Sequence, residues 1–231
     1  MANGAWDNIH RPDEFLDWVR RVAEVALVVN SPAVLGWNLD KRYLAALSEA
    51  GVATVPTTWL APGQFPVEHE LALPPGEFVV KPAVSGGGFE TARYGGGGGD
   101  GGGGGGEVDR HGQNARAHIR RLLNAGRTVM IQPYQAAVDT HGEAGLIFLG
   151  GRYSHAIGKG PLLRPGAGPQ THLHHHEQIV GPTTYARVDL VNLADGAPAV
   201  LELELLDPAL FFETRPAAAT RFAQVLRALI P

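Results

Sequence analysis

Helices and strands alternate along the 231 residues, which predicts an α+β or α/β fold. Two patterns carry that expectation. Apolar residues recur at helical spacing in residues 13–25, 38–50, 114–125 and after Pro216, and short apolar or alternating runs lie between these stretches. In addition, 44% of the chain is hydrophobic, enough to bury a core, while no run of about 18 apolar residues offers a membrane span.

The first helix places Phe15, Trp18, Val19 and Val22 on one face after Pro12, whose fixed φ suits a first turn. Residues 25–29 read as a buried strand closed by Asn30-Ser31-Pro32. Residues 38–50 read as one helix that stops at Gly51. Residues 77–82 form a strand running into Ser85, Gly86, Gly87 and Gly88, and the helix at 114–125 packs Ala115, Ile119, Leu122 and Leu123 inward. A strand at 128–133 follows, then a hairpin of 144–149 and 152–157 around Gly150-Gly151. Residues 158–182 have no periodicity; strands at 185–193 and 199–206 flank Asp195-Gly196, and Pro216 opens the last helix. Eleven of the 31 glycines lie between Gly95 and Gly106, a run with no side chain to bury that reads as a mobile loop.

The charge balance of 19 basic and 23 acidic residues gives no basic surface for nucleic acid, and the absence of Cys removes disulfides, thiolate zinc sites and cysteine nucleophiles. The N-terminal residues lack a basic stretch followed by an apolar one, so the cytoplasm is the expected compartment and no membrane partner is expected.

The richest chemistry lies in the last hairpin. If Asp195-Gly196 is a two-residue turn, opposed residue numbers sum to 391, so Arg187 faces Glu204 and Asp189 faces Glu202 on one sheet face. Val188, Leu190, Leu201, Leu203 and Leu205 form the other, buried face. Three converging carboxylates repel unless a proton or cation sits among them, and an all-oxygen donor set suits Mg²⁺, which normally brings substrate phosphates. Arg187 would neutralise a transferring phosphoryl group. The competing reading is a solvated face with a surface ion pair. On the repulsion argument, Glu202→Ala is expected to leave stability little changed or improved.

Lys41 and Lys81, with the Ser85 to Gly88 segment, supply the positive charge and backbone donors that a polyphosphate requires, although no P-loop spacing is present. Gln132, Pro133 and Tyr134, followed by Glu143, offer backbone groups and a carboxylate to an adenine and a ribose. His172, His174, His175 and His176 read as a solvated tract, with transition-metal binding as the alternative. Ser154 and His155 do not read as a nucleophile and base, because strand neighbours point to opposite faces.

Taken in order, Asp40-Lys41, Phe78-Val-Val-Lys-Pro82 with Ser85-Gly-Gly-Gly88, Ile131-Gln-Pro-Tyr134, Gly142-Glu143, Arg187-Val-Asp189 and Glu202-Leu-Glu204 resemble the ATP-grasp superfamily. Residues 37–43, 153–156 and 201–208 are similar to the O-ureido-D-serine cyclo-ligase branch of D-cycloserine biosynthesis, related to glutathione synthetase and ribosomal-protein glutamate ligases. The resemblance implies an α+β fold whose two subdomains enclose ATP, with residues 1–30 a remnant of a truncated N-terminal α/β domain. It divides the rest into a central subdomain, 31–135, carrying the glycine loop 95–106, and a C-terminal subdomain, 136–231, carrying the hairpin.

It further implies phosphorylation of a small carboxylate substrate to an acylphosphate and attack by an amine or similar nucleophile; the quaternary state is not fixed by these residues, a homodimer being one option. Lys41 and Lys81 would contact ATP phosphates, Ser85, Gly86, Gly87 and Gly88 would cover them, Gln132, Pro133 and Tyr134 would form the adenine hinge and Glu143 would meet the ribose. Asp189, Glu202 and Glu204 would hold Mg²⁺, with Mn²⁺ as the alternative ion; Arg187 would stabilise the acylphosphate and Lys159 would reach the acyl substrate. Glu204 stands where many relatives have Asn, and only residues 178–184 separate Glu177 from Tyr185, where the family has a longer stretch. The losses at the N-terminus and around residues 178–184 keep open a nucleotide-binding module without ligase chemistry, against which the retention of Arg187, Asp189, Glu202 and Glu204 stands; a metal-binding protein built on the His tract requires the ordered motifs to be coincidence.

Overall fold

The computed structural model describes residues 8–63, 71–95, 106–160 and 183–230, with the side chains of the helix opening at Gly106 described from Gln113 onward. In chain order the elements are α1 (Pro12–Ala23), α2 (Pro32–Leu39), α3 (Tyr43–Glu49), β1 (Thr58–Leu60), β2 (Phe78–Pro82), β3 (Ala92–Tyr94) and α4 (Gly106–Asn124). There follow β4 (Val129–Pro133), α5 (Ala137–His141), β5 (Glu143–Leu149), β6 (Arg152–Lys159), β7 (Tyr185–Asn192), β8 (Pro198–Glu204) and α6 (Pro216–Arg227). The described helices include none long and apolar enough to cross a membrane. The polyglycine residues 96–105 and the His172 to His176 tract lie outside the described residues.

Residues Val55–Tyr134 form one compact unit, and the described residues up to Thr54 and from Gln135 onward form the other. In the first unit an antiparallel sheet runs in the order β1-β4-β2-β3. The helix face read from the sequence, Ala115, Ile119, Leu122 and Leu123 of α4, packs on it against Leu60, Phe78, Val80, Val129 and Ile131. Every residue of β2 is buried, Lys81 included.

In the second unit the antiparallel order is β6-β5-β7-β8. One face is covered by α6, where Ala218 and Phe222 meet Ile147, Leu149, Ile157 and Tyr185. The free edge of β8 is satisfied by side chains rather than by a full-length neighbouring strand. The Asn30 amide donates to Tyr185 O and Leu205 O at 2.9 and 2.8 Å, and its Oδ1 accepts from Thr184 N at 2.9 Å. Asn38 donates to Leu203 O and accepts from Leu205 N, at 2.7 and 2.8 Å, and the Tyr43 hydroxyl both donates to Leu203 O and accepts from Leu203 N. Near the other end of β8, Val200 N donates to Ala53 O at 2.9 Å. Buried main-chain groups need partners, and two amides and a phenol provide them here.

Those contacts explain three departures from the sequence reading. Residues 25–29 are not a strand: Val25 is 87% and Leu27 61% exposed, and the chain is held instead by Asn30, in the left-handed region at φ 59. Residues 38–50 are not one helix, because Asp40 is extended and its Oδ1 accepts the Arg42 amide at 2.9 Å, ending α2 and starting a fresh turn into α3. Residues 31–54 group with the β7–β8 hairpin rather than with the central subdomain, since Asn38, Tyr43 and Ala53 bond its edge.

In the first unit, His118 of α4 is buried, its Nδ1 lies 2.9 Å from the Tyr94 hydroxyl, and its Nε2 has no hydrogen-bond partner. Burial, and then the neighbouring Arg121, hold its pKa below the ordinary value of 6.5, against the pull of Glu90. The unfolded chain therefore binds the proton first, and stability falls as the pH drops from 7.5 through the window just below 6.5. Thermal melts across pH 7.5 to 5 should show that loss in wild type and a shallower one in His118→Gln.

Candidate active site

The β7–β8 hairpin places the charged side chains as the alternation predicts, but by a different route. The turn is a three-residue loop, Ala194 to Gly196, closed by Leu193 N donating to Ala197 O at 2.9 Å. Pairs near it are Leu190↔Val200 and Val191↔Ala199, one step off the expected sum. A bulge that leaves Leu201 unpaired then restores the register, giving Asp189↔Glu202 and Arg187↔Glu204. Two one-residue offsets cancel at the positions that carry the chemistry, while Leu190 does not face Leu201 as the two-residue turn required.

The charged face is buried at its inner strand and half-buried at β8, where Glu202 and Glu204 lie. Asp189 is 1% and Arg187 6% exposed. Arg187 grips Asp189 in a fork, Nε to Oδ1 at 2.9 Å and Nη2 to Oδ2 at 3.0 Å, and also pairs with Glu204. Lys159 Nζ lies 2.5 Å from Asp189 Oδ2 and 2.9 Å from Glu143 Oε2. Lys41, buried and set beside β8 by the break between α2 and α3, lies 3.1 Å from Glu202 Oε1. Three cations thus interleave four carboxylates, which removes the reading of a surface ion pair on a solvent face.

The carboxylates still outnumber their cations. Burial, followed by the adjacent Glu202, pushes the Glu204 carboxyl up to about 8 despite Arg187. Burial alone would lower the pKa of Lys159, but Asp189 and Glu143 raise it above the ordinary lysine value, so it stays charged. Asp189, Glu202 and Glu204 can each bring one oxygen within 4.8 Å of the others, a group of hard donors with excess negative charge that fits a divalent cation.

Two glycines shape this centre, and the sequence reading passed over the second. Gly142 takes φ +71, and a Cβ there would lie 2.3 Å from Lys159 O, so only glycine lets Glu143 start β5 directly opposite Lys159. Gly145 pairs with Asp189, and a Cβ there would stand 3.1 Å from Asp189 Oδ1 and 3.0 Å from Ile157 Cγ1. A glycine inside an apolar strand was the available signal of such a close approach.

The other candidates lie in the unit of residues 55–134. Lys81, 8% exposed, sits on β2 opposite Met130 of β4. Ser85 leads into a tight turn of Gly86, Gly87, Gly88 and Phe89, in which Phe89 N donates to Gly86 O at 3.0 Å. Gln132 is 2% exposed with its side-chain amide on Thr57 Oγ1, and the Tyr134 amide after Pro133 donates to Glu77 O at 2.8 Å. Neither the Gln132 side chain nor the Tyr134 N–H is therefore turned to a base.

Ser154 and His155 do meet, contrary to expectation, because Ser154 is the extra residue of a bulge between the pairs Ile147↔His155 and Phe148↔Tyr153. His155 Nδ1 is 3.0 Å from Ser154 Oγ and its Nε2 is 2.9 Å from Leu210 O. At 7% and 1% exposure the pair fastens β6 to the loop before α6 rather than meeting a substrate.

The Lys41 contact changes the expectation for Glu202. Glu202→Ala removes the carboxylate nearest a buried ammonium, so it should cost about 2 kcal/mol rather than leave stability unchanged. Urea titrations of Glu202→Ala, Lys41→Met and the double variant would measure this, with the double variant more stable than Glu202→Ala.

No family model matches the chain. The cycloserine biosynthesis protein DcsG of Streptomyces lavendulae is 36% identical over 250 residues, spanning 96% of this chain and 79% of that protein. The crystal structure of D-cycloserine synthetase DcsG has a TM-score of 0.80 at 32% identity, covering 98% of this chain and 82% of its own. The fold alone is shared with D-alanine–D-alanine ligase from Bacillus anthracis complexed with ATP, at TM-score 0.57 and 14% identity over 97% and 81% of the two chains. The same holds for the ATP-grasp ligase PsnB, at TM-score 0.54 and 20% identity over 89% and 64%. With this kinship along nearly its whole length, the chain belongs to the family of DcsG, and its fold is that of the ATP-grasp ligase PsnB.

Proposed function

We propose that this ATP-dependent ligase joins a small amino-acid-like carboxylate to an amine or similar nucleophile through an acylphosphate. The observation that carries the reading is the array of buried Arg187 and Asp189 with half-buried Glu202 and Glu204, a concentration of charge that a purely structural hairpin has no use for. Support for the substrate class comes from two relatives, one called a D-cycloserine synthetase and the other a D-alanine–D-alanine ligase.

Asp189, Glu202 and Glu204 would hold Mg²⁺, or Mn²⁺ in its place. When bound, the ion would offset phosphate charge and polarise the transferring phosphoryl group. In the first half-reaction a substrate carboxylate oxygen bonds to the γ-phosphorus, the bond to the β,γ-bridging oxygen breaks and ADP leaves. In the second, the nucleophile attacks the acyl carbon, phosphate leaves with the C–O pair, and the nucleophile's proton passes to solvent. Arg187, fixed by the Asp189 fork, would present positive charge to the acylphosphate.

Lys41 and Lys81 would meet ATP phosphates, the Ser85 to Gly88 turn would cover them, the main chain around Gln132 to Tyr134 would border the adenine and Glu143 would reach the ribose. Lys159, held by Asp189 and Glu143, would act on the acyl substrate only by releasing one of these carboxylates.

Calorimetric titration of a non-hydrolysable ATP analogue, with and without Mg²⁺, tests the site on wild type, Lys81→Ala and Asp189→Asn. Tight binding is expected only in wild type with Mg²⁺, weakened about tenfold or more in each variant. Equal binding by all three overturns the assignments, as does no binding by folded wild type. Phosphate release over pools of D- and L-amino acids then separates a ligase from a module that only binds nucleotide.

A further inference from the structure

The segment proposed to cover the phosphates is open around its last two glycines. A Cβ added at Gly87 or Gly88 would meet no atom within 4 Å, so the turn is open on the side where side chains would anchor it. The two residues that follow are held instead. Phe89 lies under the Arg127 guanidinium, 5.2 Å from ring centroid to the carbon, and Glu90 receives a fork from Arg121, Nη1 to Oε1 at 2.7 Å and Nη2 to Oε2. Glu90 takes φ 50, a left-handed conformation that a glutamate adopts only when its surroundings impose it. Its two holders rise from or just after the end of α4, which Ala115, Ile119, Leu122 and Leu123 fix in the core.

A second feature faces the same carboxylate. His118 Nε2 is buried with no hydrogen-bond partner and lies 3.7 Å from Glu90 Oε2, while Nδ1 meets the Tyr94 hydroxyl. The charged and titratable groups around it are Glu90, Arg121 and Tyr94, with Arg127 acting on Glu90. A buried ring nitrogen left unpaired is costly, and in the tautomer whose Nδ1 accepts from Tyr94 the proton sits on Nε2, so that an inward shift of Glu90 by about one ångström would complete the bond.

We propose that Glu90, Arg121 and His118 are a positioning latch for the glycine segment: Arg121 holds it in register without nucleotide, and closure over the phosphates carries Glu90 onto His118 Nε2. The closure half rests on the proposed covering role of Ser85 to Gly88; the anchoring half does not. Arg121 is 57% exposed, so the pair adds little to global stability, and its effect appears in segment dynamics and phosphate affinity.

Hydrogen exchange of the amides at 85–91, measured without nucleotide on wild type, Glu90→Ala, His118→Gln and the swapped pair Glu90→Arg/Arg121→Glu, tests the anchor. Exchange should rise about tenfold in Glu90→Ala, return towards wild type in the swapped pair and stay near wild type in His118→Gln. Calorimetry with the ATP analogue and with adenosine tests closure: Glu90→Ala and His118→Gln should bind the analogue about tenfold more weakly and adenosine as wild type does. Unchanged exchange in Glu90→Ala overturns the anchor, whatever binds. If wild type binds the analogue and His118→Gln binds it equally well, closure onto His118 is wrong. If wild type binds no nucleotide, the covering role and closure fall together, while exchange still decides the anchor.

Discussion

The charge on Asp189 governs the rest of the C-terminal hairpin. A carboxylate that is 1% exposed persists only where cations and donors replace water, and both oxygens of Asp189 are taken by Arg187 and Lys159. Arg187 can reach because it stands two residues away on the same strand face. Lys159 can reach because β6 ends beside β5, and β5 runs next to β7 with no side chain at Gly145 to stand between. The sheet order β6-β5-β7-β8 is thus also the order in which charges meet.

Holding β8 in place is a separate problem, since an edge strand carrying two acidic residues leaves its outer backbone groups unpaired. The α2–α3 segment meets that need with side chains from Asn30, Asn38 and Tyr43. The same Asp40 turn that separates α2 from α3 brings Lys41 to Glu202. Edge protection and charge compensation come from one short stretch, and this is why residues 31–54 belong with the hairpin despite lying far from it along the chain.

Much of this was legible in the residues and some of it was not. The alternation of Arg187, Asp189, Glu202 and Glu204 with leucine and valine found the charged face, because period-two patterning survives a loop and a bulge whose offsets cancel. The α4 core face was equally legible from its helical spacing. The burial of that charged face was not, since the residues that cover it are remote in sequence. Residues 25–29 looked like a strand because apolarity alone cannot say whether a partner exists, and Val25 has none to hide it. The break at Asp40 escaped notice because an aspartate that accepts its own neighbour's amide resembles any polar position in an amphipathic helix. Ser154 and His155 were separated by a rule that holds only where no bulge intervenes.

On the proposed reading, the partners of Lys41 reconcile the family expectation with the geometry. The resemblance would put this lysine on ATP phosphates, whereas the structure pairs it with Glu202. The two placements would then be successive settings of one balance. Without nucleotide, four carboxylates need Lys41, Lys159 and Arg187, and even so Glu204 is driven towards its protonated form. A nucleotide would add phosphate charge together with a divalent ion, which Asp189, Glu202 and Glu204 would hold. With Glu202 compensated in that way, Lys41 would be left to meet the phosphates. A cation fixed near metal-binding carboxylates keeps them apart and charged in advance, so that the site needs an exchange of partners rather than the creation of buried charge.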